Sequence, residues 1–238
     1  MSSYNKNNPE SIKNMFGSIA KQYDRANAIM SFQFHRYWNN KLIPKTLEAK
    51  QPQTYLDLCC GTGEISLNYL KKTKNNCEAY LLDFCPEMLY HAKLRAEKLT
   101  FPHTISYLQA DAQAIPLADA TMDCATMAYG IRNIPNPYLS FQEIYRVLKP
   151  EGRVGVLELT QPSHPVLKKG HAIYLERILP LIGRMVTSNQ QAYEYLCNSI
   201  KSFVKPEDLE KMLLKIGFKN TQVSPLMGGI ATIITAEK

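Results

Sequence analysis

The chain has 238 residues, 45% of them hydrophobic and 21% charged, which suits a globular protein long enough to bury a full core. Its six cysteines include the adjacent pair Cys59-Cys60 and no C-x-x-C spacing, which excludes a disulfide framework and a cysteine zinc site and points to a reducing cytosol. Lys and Arg number 28 against 21 Asp and Glu, so the net charge of +7 admits nucleic acid or an anionic membrane surface as partner. The densest basic runs are only pairs, Lys71-Lys72 and Lys168-Lys169, too sparse for a nucleic-acid face. The opening residues lack a secretory core, and no run approaches the ~18 apolar residues of a membrane span.

Residues 1–10 are polar and expected to be loose. From Ser11 a helical spacing sets in, with Met15, Ile19 and Tyr23 on one face. The following stretch is dense in aromatics and Met: Phe16, Tyr23, Met30, Phe32, Phe34, Tyr37 and Trp38. Asp24, Arg25, Asn27, His35 and Arg36 are interleaved with them. Two readings stand level: a helical cap over about 11–45 that packs on a sheet, or an apolar wall with polar handles for a flat amphipathic ring.

Tyr55-Leu56-Asp57-Leu58 reads as a buried parallel strand, followed by a turn of small residues, Cys59–Gly63, and a helix from Glu64. Strand, glycine turn and helix in this order present bare N–H groups and a helix N-terminus to a ligand. The dinucleotide pattern G-x-G-x-x-G is incomplete, and no Gly-Lys-Ser/Thr follows. What fits is D-x-small-x-G-x-G, built on Asp57, Gly61 and Gly63. A carboxylate there meets a cation and repels a pyrophosphate. The second strand, Ala79–Leu82, ends in Asp83, 22 residues past Gly61, where a doubly wound fold places the acid that grips ribose hydroxyls. An adenosine with a charged amino-acid tail satisfies both acids, which favours S-adenosylmethionine over NAD; another nucleotide or a plain tight turn is the alternative.

Pro86 opens a helix that continues to Arg95, and Ile105–Gln109 forms a third strand. Ala110-Asp111-Ala112 then lies beside the same crevice, within reach of an adenine amino group. The fourth strand, Asp123–Tyr129, leads into Gly130-Ile131-Arg132-Asn133-Ile134. A helix over Phe141–Leu148 stops at Lys149-Pro150-Glu151-Gly152, and Arg153–Leu159 is the fifth strand. Five alternations argue for an α/β fold, a parallel sheet with helices on both faces. Thr160–Lys205 is too long for a crossover and reads as an inserted lid over about 160–205. Within it His171–Val186 is apolar at most positions. Arg177 and Arg184 share a helical face there, and Pro180 kinks or divides the helix. This segment is either a core helix or a lid that closes on a greasy substrate or rests on lipid. A helix over Pro206–Ile216 ends at Gly217. Strands Lys219–Val223 and Ile230–Ala236 follow, joined by Leu226–Gly229 as a hairpin, so the last strand is antiparallel.

Several motifs together carry a resemblance. Tyr23-Asp24-x-x-Asn27 precedes Ser31-Phe32-x-x-His35-Arg36-x-Trp38, and Gly130–Asn133 reads G-I-R-N. Tyr193-x-Tyr195-Leu196-x-x-Ser199-Ile200 stands in the later insertion. From about Phe16 to its end the chain resembles the ubiquinone/menaquinone biosynthesis C-methyltransferases. The glycine turn, Pro116–Asp123 and Val147–Arg153 are shared more widely among class I SAM-dependent methyltransferases. The resemblance implies that Rossmann-like fold, with a seven-stranded sheet whose last strand is antiparallel. It also implies transfer of a methyl group from S-adenosylmethionine to a ring carbon of a polyprenylated quinol. The acceptor implied is demethylmenaquinol, giving menaquinol; a 2-polyprenyl-6-methoxy-1,4-benzoquinol or another small molecule is the alternative. By position it makes Thr62, Asp83, Asp111, Ala112 and Ala128 cofactor contacts. Cys60 stands where a glycine is frequent, and Ala128 where some relatives have serine, which leaves backbone contact there. After Ser199-Ile200, the run Lys201–Pro206 departs from the family's polar sequence.

The chemistry constrains the rest. A sulfonium methyl is already activated, so the protein must supply alignment and a nucleophilic carbon. A quinol hydroxyl, with a phenol-like pKa of about 10, activates its ortho carbon once deprotonated. A base or an oxyanion-stabilising cation is therefore needed beside it, and no metal. Arg132 is too weak an acid to serve as base, so charge stabilisation suits it, with Asn133 as the neighbour the resemblance points to. A salt bridge to a nearby acid is the plainer alternative for Arg132. Tyr23, Asp24 and His35 are candidates for proton acceptor or ring clamp, against a packing role. An RNA methyltransferase would carry a motif such as Asn-Pro-Pro-Tyr where Arg132-Asn133-Ile134-Pro135 stands. A scaffold without chemistry would have a broken turn, yet Asp57, Gly61, Gly63 and Asp83 are intact. The expected partners are the prenylated quinol and, peripherally, the anionic inner face of a membrane; nucleic acid is not expected, and a homodimer stays open.

Overall fold

Residues 5–48, 51–186 and 190–238 are described by the computed structural model, without the side chains of 183–186 and 190. The apolar runs form β1 (Thr54–Leu58), β2 (Glu78–Asp83), β3 (Thr104–Gln109), β4 (Met122–Ala128) and β5 (Leu148–Leu159). They pair in parallel, and β6 (Lys219–Leu226) and β7 (Ala231–Glu237) complete one sheet in the order β3-β2-β1-β4-β5-β7-β6. β7 lies antiparallel between β5 and β6, with Val156 opposite Ile234 and Ser224 opposite Ile233. The order reverses between β1 and β4, so the carboxyl ends of those strands open on a crevice. Gly228 and Gly229, at φ 69° and 95°, close the β6–β7 hairpin as expected. Pro225 is tolerated because β6 is an edge strand.

The pleat sends successive β1 side chains to opposite faces, and both faces are covered. Leu56 and Leu58 join Met127, Phe141, Ile144 and Leu213 on one side. Tyr55 joins Trp38, Leu42, Leu67 and Leu81 on the other. The covering helices are α3 (Phe34–Leu47), α4 (Glu64–Leu70) and α5 (Pro86–Ala96) together with α6 (Pro137–Val147) and α10 (Pro206–Ile216). α3 crosses the sheet so closely that a Cβ on Gly155 of β5 would lie 1.8 Å from Thr46 Oγ1.

Three places differ from the sequence expectation. The N-terminal helix is divided: α1 (Pro9–Ile19) begins at Asn8, whose side chain accepts from the Ser11 N–H, and a tight turn at Ala20–Gln22 leads to α2 (Tyr23–Met30). That turn changes the helical phase, so Tyr23 leaves the Met15 face and borders the crevice. β5 starts at Leu148 rather than Arg153, with Glu151 at φ 62° inside it. The long insertion forms α7 (Pro165–Ile173), α8 (Leu179–Val186) and α9 (Gln190–Ser202). A π-helical turn at Tyr174–Ile178 joins α7 to α8, where the Leu179 N–H reaches back five residues to the Tyr174 carbonyl. Pro180, which lacks a donor, follows directly, so the expected break is taken up as a wide turn. Arg177 is exposed on this segment; the Arg184 side chain lies outside the described residues. No helix among the described residues is long and apolar enough to cross a membrane.

Candidate active site

The turn after β1 gathers three left-handed residues, Cys59, Gly61 and Gly63, at φ 52°, 55° and 71°. Each glycine has its own reason. A Cβ on Gly63 would lie 3.0 Å from Leu67 Cδ1 and 3.2 Å from Ala92 Cβ, so this residue serves helix packing. Gly63 does not border either of the cavities described below. A Cβ on Gly61 would meet only Tyr23 Cε1, at 3.9 Å, so the backbone there faces open space. Gly130 admits the turn itself, because its Cβ would fall 2.5 Å from that of Cys59.

Two buried carboxylates flank the turn. Asp83 accepts from the N–H groups of Gly61 (2.8 Å) and Cys85 (2.9 Å), so it holds the turn to β2. Burial pushes it up to about 6 against those hydrogen bonds. Asp57, 2% exposed, accepts from Thr126 Oγ1 at 2.8 Å, and the Tyr55 hydroxyl donates to Thr126 in turn at 2.6 Å. Burial raises Asp57 to about 7, the Thr126 bond opposing and the Asp83 charge adding to the rise. Both acids are thus poised to gain from a cation.

Two cavities meet here. The first is bordered by Asp83, Asp111, Ala112 and Asn133 under Ile12 and Phe16 of α1. The second is bordered by Asp24, His35, Asp57, Thr62, Glu64 and Arg132, with apolar walls from Trp38, Tyr174, Leu175, Leu179, Leu196 and Ile200. Tyr23, Gly61, Ala128 and Tyr129 border both. A nucleoside with a charged tail fits this plan: Asp83 and Asp111 border the first cavity, Asp57 borders the second, and the bare Gly61 backbone lies where the two meet. Asp111 itself is exposed, its carboxylate accepting from the Gln113 N–H at 2.9 Å. Ala112 is buried, and Ala128 ends β4.

The expected catalytic residues separate into different environments. The Asp24 carboxylate accepts from Thr62 Oγ1 at 2.6 Å and forms an ion pair with Arg95 of α5, so it clamps α2 to the turn. This occupation speaks for positioning over proton acceptance. His35 is buried, with Nδ1 2.7 Å from Ser31 Oγ and Nε2 3.6 Å from Glu64 Oε1. Ser31 donates its own proton to the Asn27 carbonyl at 2.7 Å, which leaves its oxygen to accept from Nδ1. Nε2 then faces Glu64. Burial raises the Glu64 carboxyl, yet its bond to His35 and the charges of His35, Arg95 and Arg36 outweigh this and hold it low. The Tyr23 phenol is raised by burial, with the Arg132 charge opposing.

Arg132 is buried at the cavity wall in an ion pair with Glu158 of β5. Its Nη1 also donates to the Tyr129 carbonyl at 2.8 Å, while its Nε has no partner among the described residues. The plainer alternative, a salt bridge, is therefore present, and the guanidinium still borders the cavity. Asn133 borders the other cavity; its Oδ1 accepts from the Tyr195 hydroxyl at 2.9 Å. Glu158 was not singled out in the sequence, although an acid inside the apolar run V-G-V-L-E-L is the signal that finds it. Tyr129, whose hydroxyl donates to Asn39 at 2.8 Å, and Tyr174 of the π turn were likewise not singled out.

Solved structures share the fold: a SAM-dependent methyltransferase from Aquifex aeolicus superposes with a TM-score of 0.62 at 18% identity, covering 93% of this chain and 97% of that one. A putative methyltransferase complexed with the Haloferax volcanii Trm112 activator gives 0.64 at 14% identity, covering 94% and 96%. Sequence similarity is closer. The demethylmenaquinone methyltransferase of Protochlamydia amoebophila (strain UWE25) is 51% identical over 239 residues, 100% of this chain and 99% of that protein. The Staphylococcus aureus (strain JH9) protein of the same name is 34% identical over 229 residues, 96% and 93% of the two chains. A family model described as the ubiE/COQ5 methyltransferase family matches residues 4–238, nearly the whole chain, and on that ground the protein belongs to the ubiE/COQ5 methyltransferase family.

Proposed function

We propose that this methyltransferase moves a methyl group from S-adenosylmethionine to a ring carbon of a polyprenylated quinol, converting demethylmenaquinol to menaquinol. The observation that carries the proposal is the junction at Gly61 and Ala128, where an acid-tipped cavity for a nucleoside meets one walled by aromatic and aliphatic side chains. The name shared by the two relatives supports the choice of acceptor.

S-adenosylmethionine, when bound, supplies a methyl group already activated on a sulfonium. The protein's residues do the rest. Asp83 would hold the ribose hydroxyls, Asp111 and Ala112 would border the adenine, and Asp57, Gly61 and Thr62 would border the charged tail. Tyr23, which borders both cavities, would stand between nucleoside and acceptor. Arg132, held in place by Glu158, stabilises the negative oxygen that forms when the quinol hydroxyl loses its proton. Its charge also favours ionisation of that hydroxyl. The quinol proton passes to the His35–Glu64 pair, whose carboxylate is the acceptor best placed in that cavity, with Tyr23 as ring clamp. With that cofactor bound, the ring carbon would take the methyl as the carbon–sulfur bond breaks and leaves its electron pair on sulfur, and the displaced ring proton would pass to solvent, restoring aromaticity.

In this proposal the chain is one methyltransferase domain, with α1–α3 as cap and α7–α9 as lid. It works at the cytoplasmic face of an anionic membrane, where its substrate's tail resides. A homodimer is the alternative use of the same exposed surface. Labelled S-adenosylmethionine incubated with reduced demethylmenaquinone, and in parallel with a 2-polyprenyl-6-methoxy-1,4-benzoquinol, tests the assignment. Label is expected in the naphthoquinol product. Label in the benzoquinol alone transfers the assignment to ubiquinone synthesis, and label in neither overturns it.

A further inference from the structure

We infer that the mouth of the acceptor cavity is a lipid-docking face, an apolar rim with a cationic fringe that seats the protein on an anionic bilayer. The inference rests on the quinol proposal above, because its purpose is to leave an acceptor's tail in the lipid while the ring enters the cavity.

The rim begins with an unusual turn. Phe32 and Gln33 both adopt left-handed backbone, φ 48° and 67°, which is rare for a bulky residue. The turn leaves the Phe32 ring 61% exposed and Phe34 beside it exposed as well, so the strain adds nothing to the core. Contacts carry the patch around the cavity. The Phe32 ring centroid lies 6.1 Å from that of Tyr174, a cavity wall, and the Tyr174 hydroxyl donates to the Met30 carbonyl. On the far side Trp38, another wall residue, donates its indole N–H to Met227 Sδ at 3.3 Å. Leu167 sits against the adjacent Gly228, where an added Cβ would lie 2.5 Å from Leu167 Cδ1, and Val166 next to it is 72% exposed.

Charge selects the occupant. From Ile29 to Lys41 there is no acid, while Arg36 and Lys41 flank the aromatics, with Lys41 Nζ 5.5 Å from the centre of the Tyr37 ring. From His164 to Val186 the sole acid in the sequence is Glu176, which Lys201 pairs at 2.9 Å; Lys168, Lys169 and Arg177 are exposed. Aromatic rings at the headgroup boundary with cations over lipid phosphates is the arrangement an anionic interface rewards. A second copy placed on this face by a two-fold axis would set like charges against one another.

Sedimentation with vesicles of 7:3 phosphatidylcholine and phosphatidylglycerol tests the face, beside vesicles of phosphatidylcholine alone. Binding is expected to the anionic vesicles, to fall as salt rises, and to drop on the order of tenfold or more in K168E/K169E. F34S/V166S is expected to lose it while turnover of a short-tailed, water-soluble demethylmenaquinol stays within twofold of the parent and turnover of vesicle-embedded long-tailed quinol collapses. The parent protein methylating both quinols with no vesicle binding, or both variants matching the parent on embedded quinol, overturns the docking face and leaves the quinol proposal standing. A dimer in light scattering that F34S/V166S dissolves overturns it in favour of a self-interface. Vesicle binding with neither quinol methylated overturns the quinol proposal alone.

Discussion

At the scale of single residues, the Arg132–Glu158 pair decides whether the acceptor cavity holds a usable positive charge. Two ions taken out of water lose several kcal/mol of hydration each, which their mutual attraction must offset. Here Glu158 also accepts from the N–H groups of Leu159 at 2.7 Å and Arg132 at 3.3 Å, so its remaining lone pairs are satisfied within the strand and loop. Glu158→Gln strips the counter-ion from a buried guanidinium, and equilibrium unfolding in urea should show a loss of about 3–5 kcal/mol. A change below about 1 kcal/mol would mean that water reaches the pair and that the cavity is wetter than its lining suggests. Arg132→Lys keeps the charge and loses the planar fork. It should leave S-adenosylmethionine affinity within about twofold while turnover falls on the order of a hundredfold, the scale of one lost oxyanion donor. Loss of affinity and turnover together would make Arg132 structural. The sequence displayed Arg132, Asp57 and Asp83 because each interrupts or ends an apolar run. It did not display the partnership with Glu158, since an acid in a strand has two possible faces and only the pairing of β5 between β4 and β7 selects one.

At the scale of elements, the five βα alternations were legible because their signals are local: apolar runs, glycine turns, and prolines at helix starts such as Pro86. The parts that were not legible depend on contacts remote in sequence. β5 begins five residues early because Leu148 pairs with Met122 of β4, and the segment is tied down further by Lys238, whose Nζ donates to the Leu148 carbonyl (2.7 Å) and whose carbonyl accepts from the Glu151 N–H (3.2 Å). The turn at Ala20–Gln22 has no breaker residue in it; it lets Ile12 and Met15 pack on Ala192 and Tyr195 of α9 while Tyr23 faces the crevice. Gly155 likewise looks like an ordinary strand glycine until α3 is laid over it. Thr46 Oγ1 is fixed there by donating to the Leu42 carbonyl at 2.9 Å, so it cannot simply turn away. Gly155→Ala should cost about 1–3 kcal/mol, the usual range for overpacking, and lower the melting temperature by several degrees. Adding Thr46→Ala removes the obstructing oxygen and should restore most of that loss in a double-mutant cycle. A Gly155→Ala protein as stable as the parent would mean that α3 shifts freely on the sheet.

At the scale of the whole molecule, the N-terminal helices and the insertion meet over the carboxyl ends of β1, β2 and β4, and their contact encloses two carboxylates that are ill at ease when ionised. In an unfolded chain Asp57 and Asp83 titrate at about 3.9. In the folded protein they sit at about 7 and about 6. Between roughly pH 4 and 7 the folded state therefore binds more protons than the unfolded one, and stability without ligand should fall as pH rises through that window. A ligand with a sulfonium and an ammonium group favours the ionised acids, so its binding should expel protons over the same range. The affinity of S-adenosylmethionine should rise from pH 5.5 to 7.5, then level off as its own amino group, near the α-amino range of about 7.7–8.0, begins to neutralise. Titration calorimetry at pH 6.5 in two buffers of different ionisation enthalpy reads the expelled protons directly. Asp57→Asn should abolish most of the buffer dependence, and Asp83→Asn, which loses the charge but keeps hydrogen-bonding atoms, should weaken binding while leaving part of it. An affinity flat from pH 5.5 to 7.5 with no buffer dependence would mean the two acids are already ionised before the ligand arrives. The enclosure by cap and insertion would then be too open to desolvate them, and the same openness would admit water to the acceptor ring.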